Sequence, residues 1–444
     1  MKRLIEQDLL NWKNSGDRKP LIIHGARQVG KSHTLLEFGK INYESVAYFF
    51  FENNEKLQSV FNKGVDDIGR LFMELGQLIG QTIAPKTTLV IFDEIQACPA
   101  AITALKRIHE TANEFHVACA GSLLGLVLHR EKQASFPVGK VDNLNMWPMN
   151  FQEFLWAINR KDLADIIQDG FNKNEPLSPA MHQLALNCYH IYIAVGGMPE
   201  CVQEYIKTEF KSTKPTVDFT FVKAKQLAIY ENYTNDMVKY CTRAEAMRNI
   251  ATYNSVTAQL ARENKKFQFN LIQSGARSKD FSEALFWLEK AKIVLKVSKT
   301  NEGKLPLAGY EDLLSFKIFF SDIGLLVAKS NLAASAILTG AFGGEMKGAI
   351  TENFVAQELF SNNIRPFYWE SQGTAELDFV IQQGAKVLPI EAKSNLSTKA
   401  KSLDTFRSKY NIATSIRVSA KNFGFENGIK SVPLYAVWCI KEAK

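Results

Sequence analysis

An apolar run, Leu21–Ile23, leads into Gly25-Ala-Arg-Gln-Val-Gly-Lys31-Ser32, and a helical pattern from Thr34 to Phe38 follows. Strand, tight glycine turn and helix start in that order are what a phosphate-binding loop requires. The glycines let the backbone curl so that successive N–H groups face a triphosphate, and the helix N-terminus adds partial positive charge. The lysine reaches the β and γ phosphates, and the serine hydroxyl holds Mg²⁺. The segment therefore predicts nucleoside-triphosphate binding through Gly25, Ala26, Arg27, Gln28, Val29, Gly30, Lys31, Ser32 and His33.

Further apolar runs at Val46–Phe51, Thr88–Phe92 and Phe115–Ala120 alternate with helix-length stretches at 32–39, 55–83 and 99–113. Buried parallel strands with helical crossovers produce this rhythm, so the expected fold class is α/β, a three-layer P-loop core over residues 1–160. The Thr88–Phe92 run leads into Asp93-Glu94. Carboxylates at the C-terminal end of such a strand lie beside the phosphate loop, where Asp93 orients Mg²⁺ and Glu94 polarises the attacking water as general base. Ser122 follows the Phe115–Ala120 run. It either senses the γ-phosphate and positions that water, or simply caps the next helix.

At 444 residues the chain is long enough for two or three domains. Residues 161–245 read as a helical lid or linker. Residues 246–330 read as short helices, an apolar-periodic helix from Ser278, and two strand-like runs in the order of a winged helix-turn-helix. That helix carries Lys279, Lys290 and nearby Arg277, but also Phe281, Leu285, Trp287 and Leu288, so DNA contact and core packing both stay open. The formal net charge of +7 permits nucleic-acid contact without demanding it. The six cysteines form no C-x-x-C pair and suit reduced thiols. No apolar run approaches a membrane span of ~20 residues, and Met1-Lys-Arg-Leu-Ile-Glu lacks a signal-peptide core, so a cytoplasmic location is expected.

Gly25–Ser32, Ile91-Phe-Asp-Glu-Ile-Gln96, Ala120-Gly-Ser-Leu-Leu124, Pro148-Met-Asn-Phe-Gln-Glu-Phe-Leu155 and Gly196-Gly-Met-Pro-Glu200 together resemble one group of AAA+ ATPases. These are bacterial and archaeal ATPases with an additional C-terminal domain of uncharacterised function. The resemblance implies ATP with Mg²⁺ as cofactors, an additional-strand P-loop core, a helical lid, a winged helix and a nuclease-like C-terminal unit. It also implies a DNA or protein partner, and an oligomer is compatible with it. The group carries Gly-Arg before its Pro-x-x-Phe-x-Glu-Phe segment, where this chain has Gly139-Lys140. A lysine keeps the charge but loses the planar fork of an arginine finger, leaving Arg107, Arg130 and Arg243 as candidates.

The run Ala375-Glu-Leu-Asp378-Phe-Val-Ile381 followed by Val387-Leu-Pro-Ile-Glu391-Ala-Lys393 resembles the PD-(D/E)XK nuclease core, placed here over residues 346–444. Period two on a strand points Glu391 and Lys393 to one face, and a hairpin brings Asp378 beside them. Two carboxylates hold Mg²⁺ there while the lysine activates water. Glu352, on a helix over Thr351–Phe360, matches a further acidic position, and Glu376 shares the face of Asp378 as a substitute. Alternating charged and apolar residues on a surface strand give the same pattern without function. The sequence thus supports an ATP-hydrolysing protein that couples nucleotide state to its C-terminal domains, or a nucleic-acid-binding or cleaving effector regulated by ATP.

Overall fold

The computed structural model describes residues 1–62, 67–121, 137–211, 218–263, 265–371, 375–394 and 401–442. The chain divides into two compact units, Lys2–Trp147 and Pro148–Lys444.

The first unit contains α1 (Ile5–Asn14), β1 (Leu21–His24), α2 (Lys31–Asn42), β2 (Ser45–Phe50), α3 (Glu55–Asn62), α4 (Ile68–Ile79), β3 (Thr88–Asp93), α5 (Pro99–Thr111), β4 (His116–Gly121) and β5 (Asp142–Asn145). All five strands are parallel, in the order β2-β3-β4-β1-β5. The central strands β3 and β4 are buried along their whole length, as a sheet covered on both faces requires. Phe51, Phe61 and Phe92 meet edge to face beside them at 5.5 to 5.7 Å. The stretch 55–83 is two helices rather than one, with Asp67 capping the second by accepting from the Arg70 amide at 3.1 Å. Strand β5 has no counterpart among the apolar runs of the sequence: Asp-Asn-Leu-Asn is polar because it lies at the sheet edge, paired with β1 alone.

The second unit begins with α6 (Phe151–Ala157), α7 (Lys161–Lys173), α8 (Pro179–Val195), α9 (Pro199–Lys211), α10 (Thr220–Tyr240), α11 (Arg243–Leu260) and α12 (Ser278–Lys290). It continues through β6 (Val294–Thr300), β7 (Glu311–Phe320), α13 (Ile323–Lys329), α14 (Ala334–Thr339), α15 (Gly344–Ser361), β8 (Phe367–Glu370), β9 (Glu376–Gln383) and β10 (Lys386–Ala392). It closes with α16 (Lys401–Tyr410), β11 (Ser415–Ser419), β12 (Gly424–Glu426) and β13 (Ile429–Pro433). Its sheet runs β12-β13-β11-β10-β9-β8-β6-β7.

Residues 148–160, expected in the first domain, lie in this second unit. The Met149 amide donates to the Gly197 carbonyl at 2.7 Å, and the Phe151 amide to Glu358 Oε1 at 3.0 Å. Asn150 and Glu153 close a capping box at the start of α6. The Gly197 amide in turn donates to Asp322 Oδ2 at 2.6 Å. Two of the family-like segments, Pro148–Leu155 and Gly196–Glu200, thus hold each other. The hairpin β6–β7, expected as a wing, joins the C-terminal sheet: β6 pairs in parallel with β8. The boundary at residue 330 therefore runs through one continuous sheet. All six cysteines are free, five of them buried, and no helix among the described residues is long and apolar enough to cross a membrane.

Candidate nucleotide site and a C-terminal carboxylate cluster

In the first unit the phosphate loop leaves the tip of β1 and enters α2 at Lys31. Gly30 caps the helix in the left-handed region at φ 98°, and a Cβ on Gly25 would come within 2.3 Å of the Met146 carbonyl oxygen. The loop closes this tightly only with glycine at both positions. Lys31 is 7% exposed, and its Nζ donates to the carbonyls of Gly25 (2.9 Å) and Ala26 (2.8 Å). Arg3 braces the loop, with Nη1 on the Val29 carbonyl at 2.8 Å and Nη2 on the Trp147 carbonyl at 2.7 Å. Nothing in Met-Lys-Arg at the start of the chain signals that role.

Strand β4 lies between β1 and β3, pairing His24 with Gly121 and Asp93 with Ala120. The loop and the Asp93-Glu94 pair thus flank one inserted strand tip. Asp93 is buried, with Oδ2 accepting from the Tyr48 hydroxyl at 2.6 Å and Oδ1 from the Glu94 amide at 3.0 Å. Glu94 sits in the left-handed region at φ 50°, and its Oε2 accepts from the Gln96 amide group. Burial raises the Glu94 pKa above the usual carboxylate value, while the Gln96 hydrogen bond and the Lys31 charge pull against that rise. Tyr48 has no signal in the sequence and Gln96 stands there only within the Ile91–Gln96 segment, because their roles depend on strand register and a local turn.

Ser32 is half-buried and His33 exposed in the first turn of α2. Ser122 and Arg130 lie outside the described residues. Lys140 pairs with Glu110 at 3.0 Å, and Arg107 is exposed on α5. Arg243 opens α11 in the second unit.

These residues fit a nucleoside triphosphate with Mg²⁺. The loop has the glycine geometry of a phosphate cradle, and Lys31 is a buried ammonium that donates to the neutral carbonyls named above. Ser32 and Asp93 supply oxygen donors of the kind Mg²⁺ takes.

Residues 17–155 match the family model described as an AAA domain. The first unit carries an AAA-type P-loop domain. Beyond this AAA domain, residues 187–336 and 347–437 match two models described as domains of unknown function, DUF8612 and DUF4143. No curated protein matches. Among solved structures, a Walker-type ATPase of Pyrococcus abyssi aligns at 13% identity over 74% of this chain and 95% of its own, with a TM-score of 0.45. An ORC2 protein of Aeropyrum pernix aligns at 12% identity over 76% and 92%, with a TM-score of 0.34. A point variant of RuvB from Thermotoga maritima aligns at 12% identity over 68% and 89%, with a TM-score of 0.32. At these scores they add nothing to the AAA assignment.

In the second unit, Glu352 on α15, Glu376 and Asp378 on β9, and Glu391 on β10 face three lysines. Glu352 Oε1 lies 2.5 Å from Lys265 Nζ, and its Oε2 lies 3.4 Å from Lys317 Nζ. Lys317 also pairs with Glu376, and Lys393 Nζ lies 2.9 Å from Glu391 Oε1. Asp378 Oδ2 accepts from the Ala392 amide at 2.8 Å. Burial works to raise the Glu352 pKa, but Lys317 and Lys265 outweigh it and hold the pKa low. Burial and the Glu352 charge raise that of Asp378. Burial alone would depress the Lys317 pKa, yet the carboxylates of Glu352, Glu376 and Asp378 drive it well above the normal lysine value. The proposed nuclease-type residues therefore converge, joined by Lys265 and Lys317. Among the described residues no three His, Cys, Asp or Glu side chains stand as a metal-holding group.

Proposed function

We propose that this protein binds and hydrolyses ATP with Mg²⁺ at the β1–α2 loop. The observation that carries the reading is the sheet order: β4 separates β1 from β3, so that Lys31 and the Asp93-Glu94 pair flank one strand tip. Bound Mg²⁺ would offset charge on the β and γ phosphates. Lys31 would leave its two loop carbonyls for phosphate oxygens, and the first-turn residues Ser32 and His33 complete the cradle. Asp93, oriented by Tyr48, and Ser32 would hold the metal's shell. Glu94 would take the proton of the attacking water, and Ser122, which follows β4 in the sequence, would position that water. The test is phosphate release from MgATP by the purified chain, abolished by Lys31→Ala; turnover at the wild-type rate in that variant would sink the assignment.

Nucleotide state would reach a partner through the second unit, read as a helical lid (161–245) leading into a nuclease-like sheet domain that takes in the β6–β7 hairpin of the expected winged-helix region (246–330). The exposed face of α12 favours protein over DNA as that partner. Arg277, Lys279 and Lys290 share it with Asp280, Glu283 and Glu289, and Phe281, Leu285, Trp287 and Leu288 are buried. A balanced face does not make the phosphate-tracking stripe that duplex binding needs.

A further inference from the structure

We propose that the carboxylate cluster of the second unit is neutralised by the chain's own Lys317 and takes no divalent metal. Lys317 projects from β7, the outer strand of the hairpin that β6 docks beside β8. It is 2% exposed, and its Nζ lies 5.1 Å from the centre of the Tyr368 ring. The ammonium bridges Glu352, one of the expected metal ligands, and Glu376, the expected substitute for Asp378. Lys265 takes the remaining Glu352 oxygen, the Ala392 amide takes one oxygen of Asp378, and Lys393 takes one of Glu391.

A Mg²⁺ or Mn²⁺ ion needs about six oxygen ligands in octahedral array. Here each of the four acids already has a donor from the chain. Glu391 Oε2 is buried without a hydrogen-bond partner, which leaves it as one oxygen an ion could reach. An ion there would face Lys393, whose Nζ lies 2.9 Å from the other Glu391 oxygen, across a medium that screens charge poorly. Lys317 is itself buried and held by Glu352 and Glu376, so an ion would have to displace an ammonium already seated between them. The cluster is then an internal ion-pair network that locks α15 to the hairpin and to β9. The domain keeps a nuclease-like residue pattern without the cation that metal-assisted cleavage requires.

The inference is independent of ATP turnover, and the test contains no nucleotide. The full chain is titrated with Mn²⁺ and free Mn²⁺ is followed by EPR, with melting curves confirming that each variant folds. Wild type and Asp378→Asn are expected to bind Mn²⁺ indistinguishably. Lys317→Met is expected to gain one site at least tenfold tighter than any in wild type, lost again in Lys317→Met with Asp378→Asn. A stoichiometric wild-type site weakened tenfold by Asp378→Asn or Glu391→Gln overturns the proposal. So does a folded Lys317→Met that gains no site. Should Lys317→Met not fold, the wild-type and Asp378→Asn pair still decides.

Discussion

Lys31 in the AAA domain and Lys317 in the second unit are both buried lysines at the centre of a charged site, but their hydrogen-bond partners differ in kind. Lys31 donates to two neutral backbone carbonyls of its own loop. Lys317 is bonded to carboxylates. An ammonium on a neutral carbonyl gains on moving to a phosphate oxygen, because the phosphate adds a full opposite charge that the carbonyl lacks. An ammonium already paired with carboxylates gains nothing from an arriving anion. The loop carbonyls of Lys31 are neutral acceptors that an incoming phosphate can replace; Lys317 is held by carboxylates of its own chain.

Exchanging the two losses is the hardest test of that contrast. Lys31→Ala should cut ATP turnover by about 10²-fold or more, the scale on which removing one transition-state donor acts, with little change in melting temperature. Lys317→Met should leave ATP turnover within about twofold but destabilise the chain by about 3–5 kcal/mol, because a buried pair is broken from one side. Denaturant melts and phosphate release on the same preparations separate the two. If Lys317→Met is as stable as wild type, the cluster is not the network described above.

A smaller effect is expected at Gln96. Its hydrogen bond lowers the pKa of Glu94, which burial has raised. Removing it in Gln96→Ala lets the pKa rise further, so Glu94 is ionised over a narrower range. The acid limb of the kcat profile should move to higher pH, with the rate lower along that limb and unchanged on the plateau above it. An unshifted limb would separate Glu94 from proton transfer.

The smallest effect compares two glutamates on α15. Glu352, ringed by lysines, has its pKa held low; Glu358, equally buried, has the Phe151 amide as donor and among the described residues no lysine pairing with it, and its pKa is pushed from 4.5 up to about 8. Its Oε2 is buried without a partner. A carboxyl whose folded pKa is raised contributes stability that is complete below about pH 4.5 and is lost as pH rises through about 8. The melting temperature of wild type should therefore fall by several degrees more than that of Glu358→Gln between pH 6 and pH 9. Equal pH dependence in the two would show that Glu358 is ionised throughout.

The phosphate loop and the Asp93-Glu94 strand were legible because each is a local pattern, a glycine turn between strand and helix and a carboxylate after an apolar run. Strand β5 was not, since an edge strand needs no apolar alternation. The residues that aim the site escaped for another reason. Tyr48 reaches Asp93 across a strand pair, and Arg3 reaches Val29 across 26 positions of chain. In the second unit Glu352, Asp378, Glu391 and Lys393 could be picked out by spacing, whereas Lys317 sits in an ordinary apolar strand, Phe316-Lys-Ile-Phe319. By itself the sequence determined an AAA-type nucleotide loop, its strand-borne acids and a set of acidic and basic residues near the C-terminal end. Only the tertiary structure decided what those charges face. Backbone conformation and period-two patterning act over a few residues, but the partner of a buried charge is chosen by whichever distant strand the sheet brings beside it.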